Sequence, residues 1–205
     1  MAKKVTTIGI DLGTTTSCVA GYYMGELKVI DNRDGDHITP SVVCFDKDGG
    51  QPVVGSNAIL AATSAPENFV YEVKRMFGKG FHSDEVINAR KYWPFHLKEI
   101  KTTGKAMDKT ATDNIGIAVK EKGKERVYEP VQVSAYVLNY LFESAKQRLG
   151  TSPSFVAITV PAYFNEGAKQ RTLDAAKIAF SGKLMRTTTL SMLRLYFWLS
   201  QLQLL

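Results

Sequence analysis

At 205 residues, with 44% hydrophobic and 22% charged positions, the chain has an ordinary globular composition and can bury roughly 70% of its unfolded surface in one domain, or in one domain with a large insertion. The net charge of +6 is modest and most lysines stand beside acids, as in KEKGKERVYE, so a solvated surface is expected and a nucleic-acid groove is not. Cys18 and Cys44 lack CxxC spacing, MAKKVTTIG has no apolar signal core, and no apolar run is long enough to span a membrane, so a reducing, cytoplasmic location that leaves nuclear entry open is the expectation.

The first predicted elements are two strands, Val5 to Leu12 and Ser17 to Tyr23, which are apolar and β-branched around a short polar tip. The tip is rich in chemistry. Gly13 can take a positive φ and lets a ligand approach the backbone, and Thr14, Thr15 and Thr16 add hydroxyls to a stiff loop. Asp11 would repel a phosphate unless a cation lay between them, so the set points to Mg²⁺ and a polyphosphate. The plainer alternative is a turn that merely contains threonine.

A third strand, ELKVID at 26 to 31, follows the tight turn Met24-Gly25. Residues 32 to 129 are mixed, with short strands near SVVCF and IGIAVK, a small helix at SNAILAAT and many turn signals. His37, His82 and His96 are scattered there without zinc-ligand spacing, which makes structural or surface roles the default.

At Pro130 the pattern changes to a helix whose apolar stripe is Ala135, Leu138, Leu141, Phe142, Ala145 and Leu149, stopped by Gly150. FVAITV at 155 to 160 reads as a strand buried on both faces and ended by Pro161. Asn165 is a good N-cap for a last helix whose Ala168, Ala175, Ala176 and Ala179 allow close packing on a sheet. The expected architecture is an α/β lobe: a mixed β-sheet with flanking helices and an inserted α+β subdomain.

The phosphate signal is not that of a P-loop. None of the pairs Gly78-Lys79, Gly104-Lys105, Gly123-Lys124 or Gly182-Lys183 has the required glycine before it and Ser or Thr after it, and GxGxxG is absent. A hairpin phosphate loop in a β-β-β-α-β-α order is instead the pattern of actin-like ATPases and sugar kinases. Within that group, IGIDLGTTTSCVA, ITPSVVCF, VYEVKRMFG, WPF and VAITVPAYFNEGAKQRTLDAAKIA, in this order, closely resemble the seventy-kilodalton heat-shock (DnaK-like) chaperone family over residues 5 to about 179. The VPAYFN block argues against a sugar kinase.

The resemblance implies an actin-like (ribonuclease H-like) ATPase lobe, ATP or ADP with Mg²⁺ in a cleft, and a chaperone that works with unfolded peptides, J-domain co-chaperones and nucleotide exchange factors. Carried over by position, Asp11 would hold Mg²⁺ through its water shell, and Gly13, Thr14, Thr15 and Thr16 would lie in the first phosphate loop. Lys74 would be the catalytic lysine, where the residues alone suggest only a surface lysine. Arg75 would support the nucleotide, and Pro161 and Lys169 would couple nucleotide state to peptide binding.

Three departures stand out. The family usually has Tyr or Asn at Thr16 and Gln-Arg at Ala168-Lys169, and lysine does not replace arginine at a forked hydrogen-bond site. After Ala179 the family continues into a strand, an Asn-Glu-Pro-Thr segment with a catalytic glutamate, and a second lobe with an Asp-Leu-Gly-Gly-Gly loop. Residues 180–205 are instead an apolar, acid-free stretch, of the kind a frameshift, a retained intron or a gene-model error produces. The domain expectation is therefore a first lobe over 1–179, with core 1–31 and 130–179 and insertion 32–129, followed by a non-family tail. Losing positioned donors costs ~10²–10³ in rate each, so such a half-site is expected to hydrolyse ATP poorly and to bind it near the millimolar range. A short, non-catalytic module that captures co-chaperones or a partner lobe is the alternative expectation; an amphipathic tail covering the cleft or a membrane surface is disfavoured, because its pattern is not clearly periodic and its basic residues are few, so no membrane partner is expected.

Overall fold

The computed structural model describes residues 6–101, 114–183 and 186–190. β1 (Thr7–Asp11), β2 (Thr16–Tyr23) and β3 (Glu26–Ile30) form an antiparallel meander. Met24 and Gly25, at φ 53° and 83°, make the β2–β3 turn left-handed at both positions, which matches the twist of the strands it joins.

The insertion carries two small sheets. β4 (Thr39–Pro40) pairs with β2, and β5 (Val42–Cys44) pairs with β6 (Val53–Val54) and with β7 (Phe69–Tyr71). Helix α1 (Ser56–Ala61) lies between β6 and β7, and α2 (Asp84–Ala89) follows them. β8 (His96–Glu99), β9 (Ile115–Glu121) and β10 (Lys124–Tyr128) make the second sheet. Asn68 joins the two: its amide donates to the carbonyls of Phe45 (2.9 Å) and Lys120 (2.7 Å) and accepts from the Lys120 N–H (2.8 Å).

Helix α3 (Pro130–Leu149) begins with a capping box in which Gln132 Oε1 accepts from the Glu129 N–H at 2.7 Å, and it ends at Gly150 with φ 66°. Its buried stripe, Ala135, Leu138, Leu141, Phe142 and Ala145, belongs to one core with Ile8 and Ile10 of β1. β11 (Phe155–Thr159) runs parallel to β1 in the register Ile8–Val156 and Ile10–Ile158. Val156 and Ile158 enter that core, whereas Ala157 packs on the opposite face with Ala20, Leu27 and Leu190. Burial on both faces is why this strand reads as an unbroken apolar run.

Helix α4 (Glu166–Phe180) packs on α3, with the Phe142 and Phe180 rings 5.3 Å apart, and turns Ala168, Ala175, Ala176 and Ala179 inward. β12 (Arg186–Leu190) then pairs in parallel with β11, giving the order β12-β11-β1-β2-β3 with β4 attached to β2. The sheet thus continues into residues that the sequence reads as tail, because Thr187, Thr188 and Thr189 are good strand formers whatever their origin. Of the expected apolar stretch 190–205, Leu190 ends β12 and residues 191–205 lie outside the described residues.

Cys18 and Cys44 are free thiols. His37 pairs with Asp31 (2.7 Å) and His82 with Glu99 (3.3 Å), both at the surface, and His96 is exposed. Among the described residues no three metal-ligating side chains converge, and no helix is long and apolar enough to cross a membrane.

Asn68 is 0% exposed and satisfied on every side. Asn68→Ala removes the side-chain partners of the buried Phe45 carbonyl and of the Lys120 N–H and carbonyl, and is expected to lower stability by about 3 kcal/mol, read as a reduced urea midpoint.

Candidate functional site

The loop Leu12 to Thr15 joins β1 to β2 and is built around a close approach. A Cβ on Gly13 would lie 1.9 Å from the Thr16 carbonyl oxygen, so only glycine fits. Gly13 is not among the residues with positive φ, so the contact demands glycine and the dihedral does not. The Gly13 N–H donates to Ser17 Oγ at 3.1 Å, while Thr15 and Thr16 are exposed and Thr14 is half-buried.

Asp11 ends β1, where the parallel pairing sets it beside the end of β11. The Thr159 hydroxyl donates to Asp11 Oδ1 and fixes the carboxylate. Sequence reasoning had not singled out Thr159, although it is the one polar residue inside FVAITV.

Lys74 lies in a 3-10 turn (Val73–Met76) that follows Glu72, itself left-handed at φ 55°. The lysine is only 7% exposed, so it is not a surface residue. Its ammonium donates to the Leu12 carbonyl and sits 5.1 Å from the Phe164 ring centroid. Burial pushes its pKa down to about 8, and the negative charge of Asp11 works in the opposite direction. Arg75 is held by a fork to Glu72, Nε at 2.9 Å and Nη2 at 3.2 Å, with its side chain 55% exposed.

These elements enclose a cleft of about 320 Å³ lined by Thr14, Lys74, Arg75, Lys79, Tyr163 and Phe164 among others. Lys79 is paired with Glu85, which also lines the cleft. Pro161, half-buried after β11, accepts the Phe164 N–H at 3.1 Å and so sets the turn that brings Phe164 over Lys74. The Asn165 side chain caps α4 by accepting from the Ala168 N–H at 2.8 Å. Lys169 is paired with Glu166 at 2.6 Å and is not part of the cleft lining. The structure therefore gathers Thr14, Lys74 and Arg75 in one cleft, sets Asp11 near Lys74 and Pro161 behind Phe164, and leaves Lys169 to one side.

A threonine hydroxyl and a desolvated ammonium lining one cavity, with an oriented carboxylate near that ammonium, can hold a polyanion with its counter-cation. A family model described as Hsp70 protein matches residues 7–182. The chain belongs to the Hsp70 family. A heat shock protein homolog of Encephalitozoon cuniculi is 43% identical over 179 residues, covering 84% of this chain and 26% of the relative. The chain thus spans about a quarter of the length of that curated relative. The Hsp70 family has the actin-like ATPase fold, and the mixed sheet with its flanking helices accords with it.

The buried ammonium has a measurable cost in this Hsp70-family chain. The Lys74 pKa is lower folded than unfolded, so its destabilising contribution is complete below pH 8 and fades as pH rises from about 8 toward 10.5. Lys74→Met is expected to raise stability at pH 7 by on the order of 1–2 kcal/mol, with the gain shrinking across that window in urea melts at stepped pH.

Proposed function

We propose that this chain binds Mg·ATP in the Lys74 cleft and contributes one side of the nucleotide site of a heat-shock-seventy chaperone that assists protein folding. The observation that carries the reading is the buried Lys74 ammonium at the phosphate-loop carbonyl of Leu12, beside Thr14 and within the field of Asp11.

The residues fit the group. Thr159 occupies one carboxylate oxygen of Asp11, and a cationic lysine in a desolvated position is matched to phosphate oxygens. Asp11 would hold Mg²⁺ through its water shell, and the ion would neutralise charge on the phosphates. Thr14 and Thr15 orient the phosphate chain, Lys74 balances the γ-phosphate and positions the attacking water, and the Glu72-held Arg75 keeps the rim positive. In this reading Pro161 transmits the nucleotide state through the turn that carries Phe164, with Lys169 on the adjoining helix surface.

The reading extends to ATP and ADP as ligands, to unfolded peptides, J-domain co-chaperones and exchange factors as partners, and to a cytoplasmic setting. Taken alone, these 205 residues are proposed to bind nucleotide weakly and to turn it over slowly or not at all, since the family resemblance places a catalytic carboxylate and a second phosphate loop outside the matched blocks.

Calorimetry of Mg·ATP against the chain and its Asp11→Ala and Lys74→Ala variants tests the reading. Expected are magnesium-dependent binding lost in Asp11→Ala, an affinity about tenfold weaker in Lys74→Ala, and a fall in affinity as pH climbs through about 8 and Lys74 loses its proton. Binding of equal strength in Asp11→Ala would remove the proposal.

A further inference from the structure

Two buried serines brace the phosphate loop from below. Ser17 Oγ, which accepts the Gly13 N–H at 3.1 Å, lies 2.8 Å from Ser41 Oγ, with the two residues 2% and 7% exposed. A hydroxyl offers one donor and two acceptor positions, so Ser17 can take the Gly13 amide and still share a proton with Ser41. The Ser41 main-chain N–H donates to the Thr15 carbonyl at 2.8 Å. Ser41 therefore grips the loop twice, at Thr15 directly and at Gly13 through Ser17. The residue between these grips is Thr14, which lines the cleft.

Ser41 is itself seated by the insertion. It follows β4, whose Thr39 and Pro40 pair with Ser17 and Thr16. The Thr39 hydroxyl accepts from Asn32 Nδ2 at 3.0 Å, and Asn32 Oδ1 accepts from the N–H groups of Asp34 and Asp36, both at 2.9 Å. A chain of hydrogen bonds thus runs from the turn after β3, through β4, to the loop.

We propose that Ser41, acting through its hydroxyl contact with Ser17, is a positioning residue for nucleotide in the Lys74 cleft, and that it ties the shape of the phosphate loop to the seating of residues 32–41. The proposal rests on the nucleotide reading above for its ligand, but the bracing of the loop can be read without any ligand. A purely structural role would make loop order and binding follow overall stability. A positioning role separates them, because removing both hydroxyls relieves the buried unpaired oxygen while the Gly13 N–H stays without an acceptor.

The experiment compares the full chain with Ser17→Ala, Ser41→Ala and the double variant. It reads amide hydrogen exchange over Gly13 to Thr16, the Gly13 N–H above all, without nucleotide, thermal midpoint, and Mg·ATP affinity with Asp11→Ala as control. Each single variant is expected to speed loop exchange about tenfold and to weaken Mg·ATP by a similar factor. In the double variant the midpoint recovers toward that of the parent while loop exchange stays fast and affinity stays low. Unchanged loop exchange in the single variants, or affinity that recovers together with the midpoint, overturns the proposal. If Asp11→Ala binds Mg·ATP like the parent, the nucleotide reading falls, and with it the ligand assigned here, whereas the exchange data still decide whether the serines brace the loop.

Discussion

The parallel pairing of β1 with β11 is the constraint on which the rest depends. It joins Ile8 to Val156 and Ile10 to Ile158 across nearly the whole described chain. A parallel pair needs a long crossover, and here the crossover contains β2, β3, the entire insertion and α3. Once the pair forms, Asp11 and Thr159 arrive together at one end of the sheet, and the turn from Pro161 to Asn165 comes up beside the loop between β1 and β2. The site sits where one hairpin tip and one helix entrance meet above adjacent strands.

Electrostatics then decide what that place can do. Lys74 comes from the insertion, far in sequence from both strands, and its ammonium is taken out of water against a carbonyl and an aromatic ring. A neutral carbonyl and a ring face do not fully replace water around a charge, and the pKa of about 8 expresses that deficit. An anion brought into the cleft would supply what is missing. The buried cation is therefore a local cost to stability.

Much of the organisation was legible because it rests on short-range pattern. The helix from Pro130 to Gly150 shows its stripe, its entry proline and its stopping glycine in sequence, and Asn165 and the alanine face announce α4 in the same way. The strand at 155 is visible from its apolar run. The glycine at 13 was visible too, but for a different reason from the one that holds: steric contact with the Thr16 carbonyl, which depends on the loop's final shape. Ser17, Ser41 and Thr159 carried no signal of their own, since a serine or threonine in a β-rich stretch is unremarkable until the residue it faces is known.

The sequence by itself determined the alternation of elements, the hairpin tip with its glycine, threonines and aspartate, and the family, because periodicity, turn chemistry and ordered motif blocks are properties of neighbouring residues. Only the tertiary structure decided that Lys74 is buried and aimed at Leu12, that Arg75 is held by Glu72, that Lys169 stands apart from the cleft, and that residues 186–190 extend the sheet. Each of these depends on which distant segment fills the space beside a residue. That is settled by packing and desolvation across the whole fold, and no local stretch of sequence encodes it.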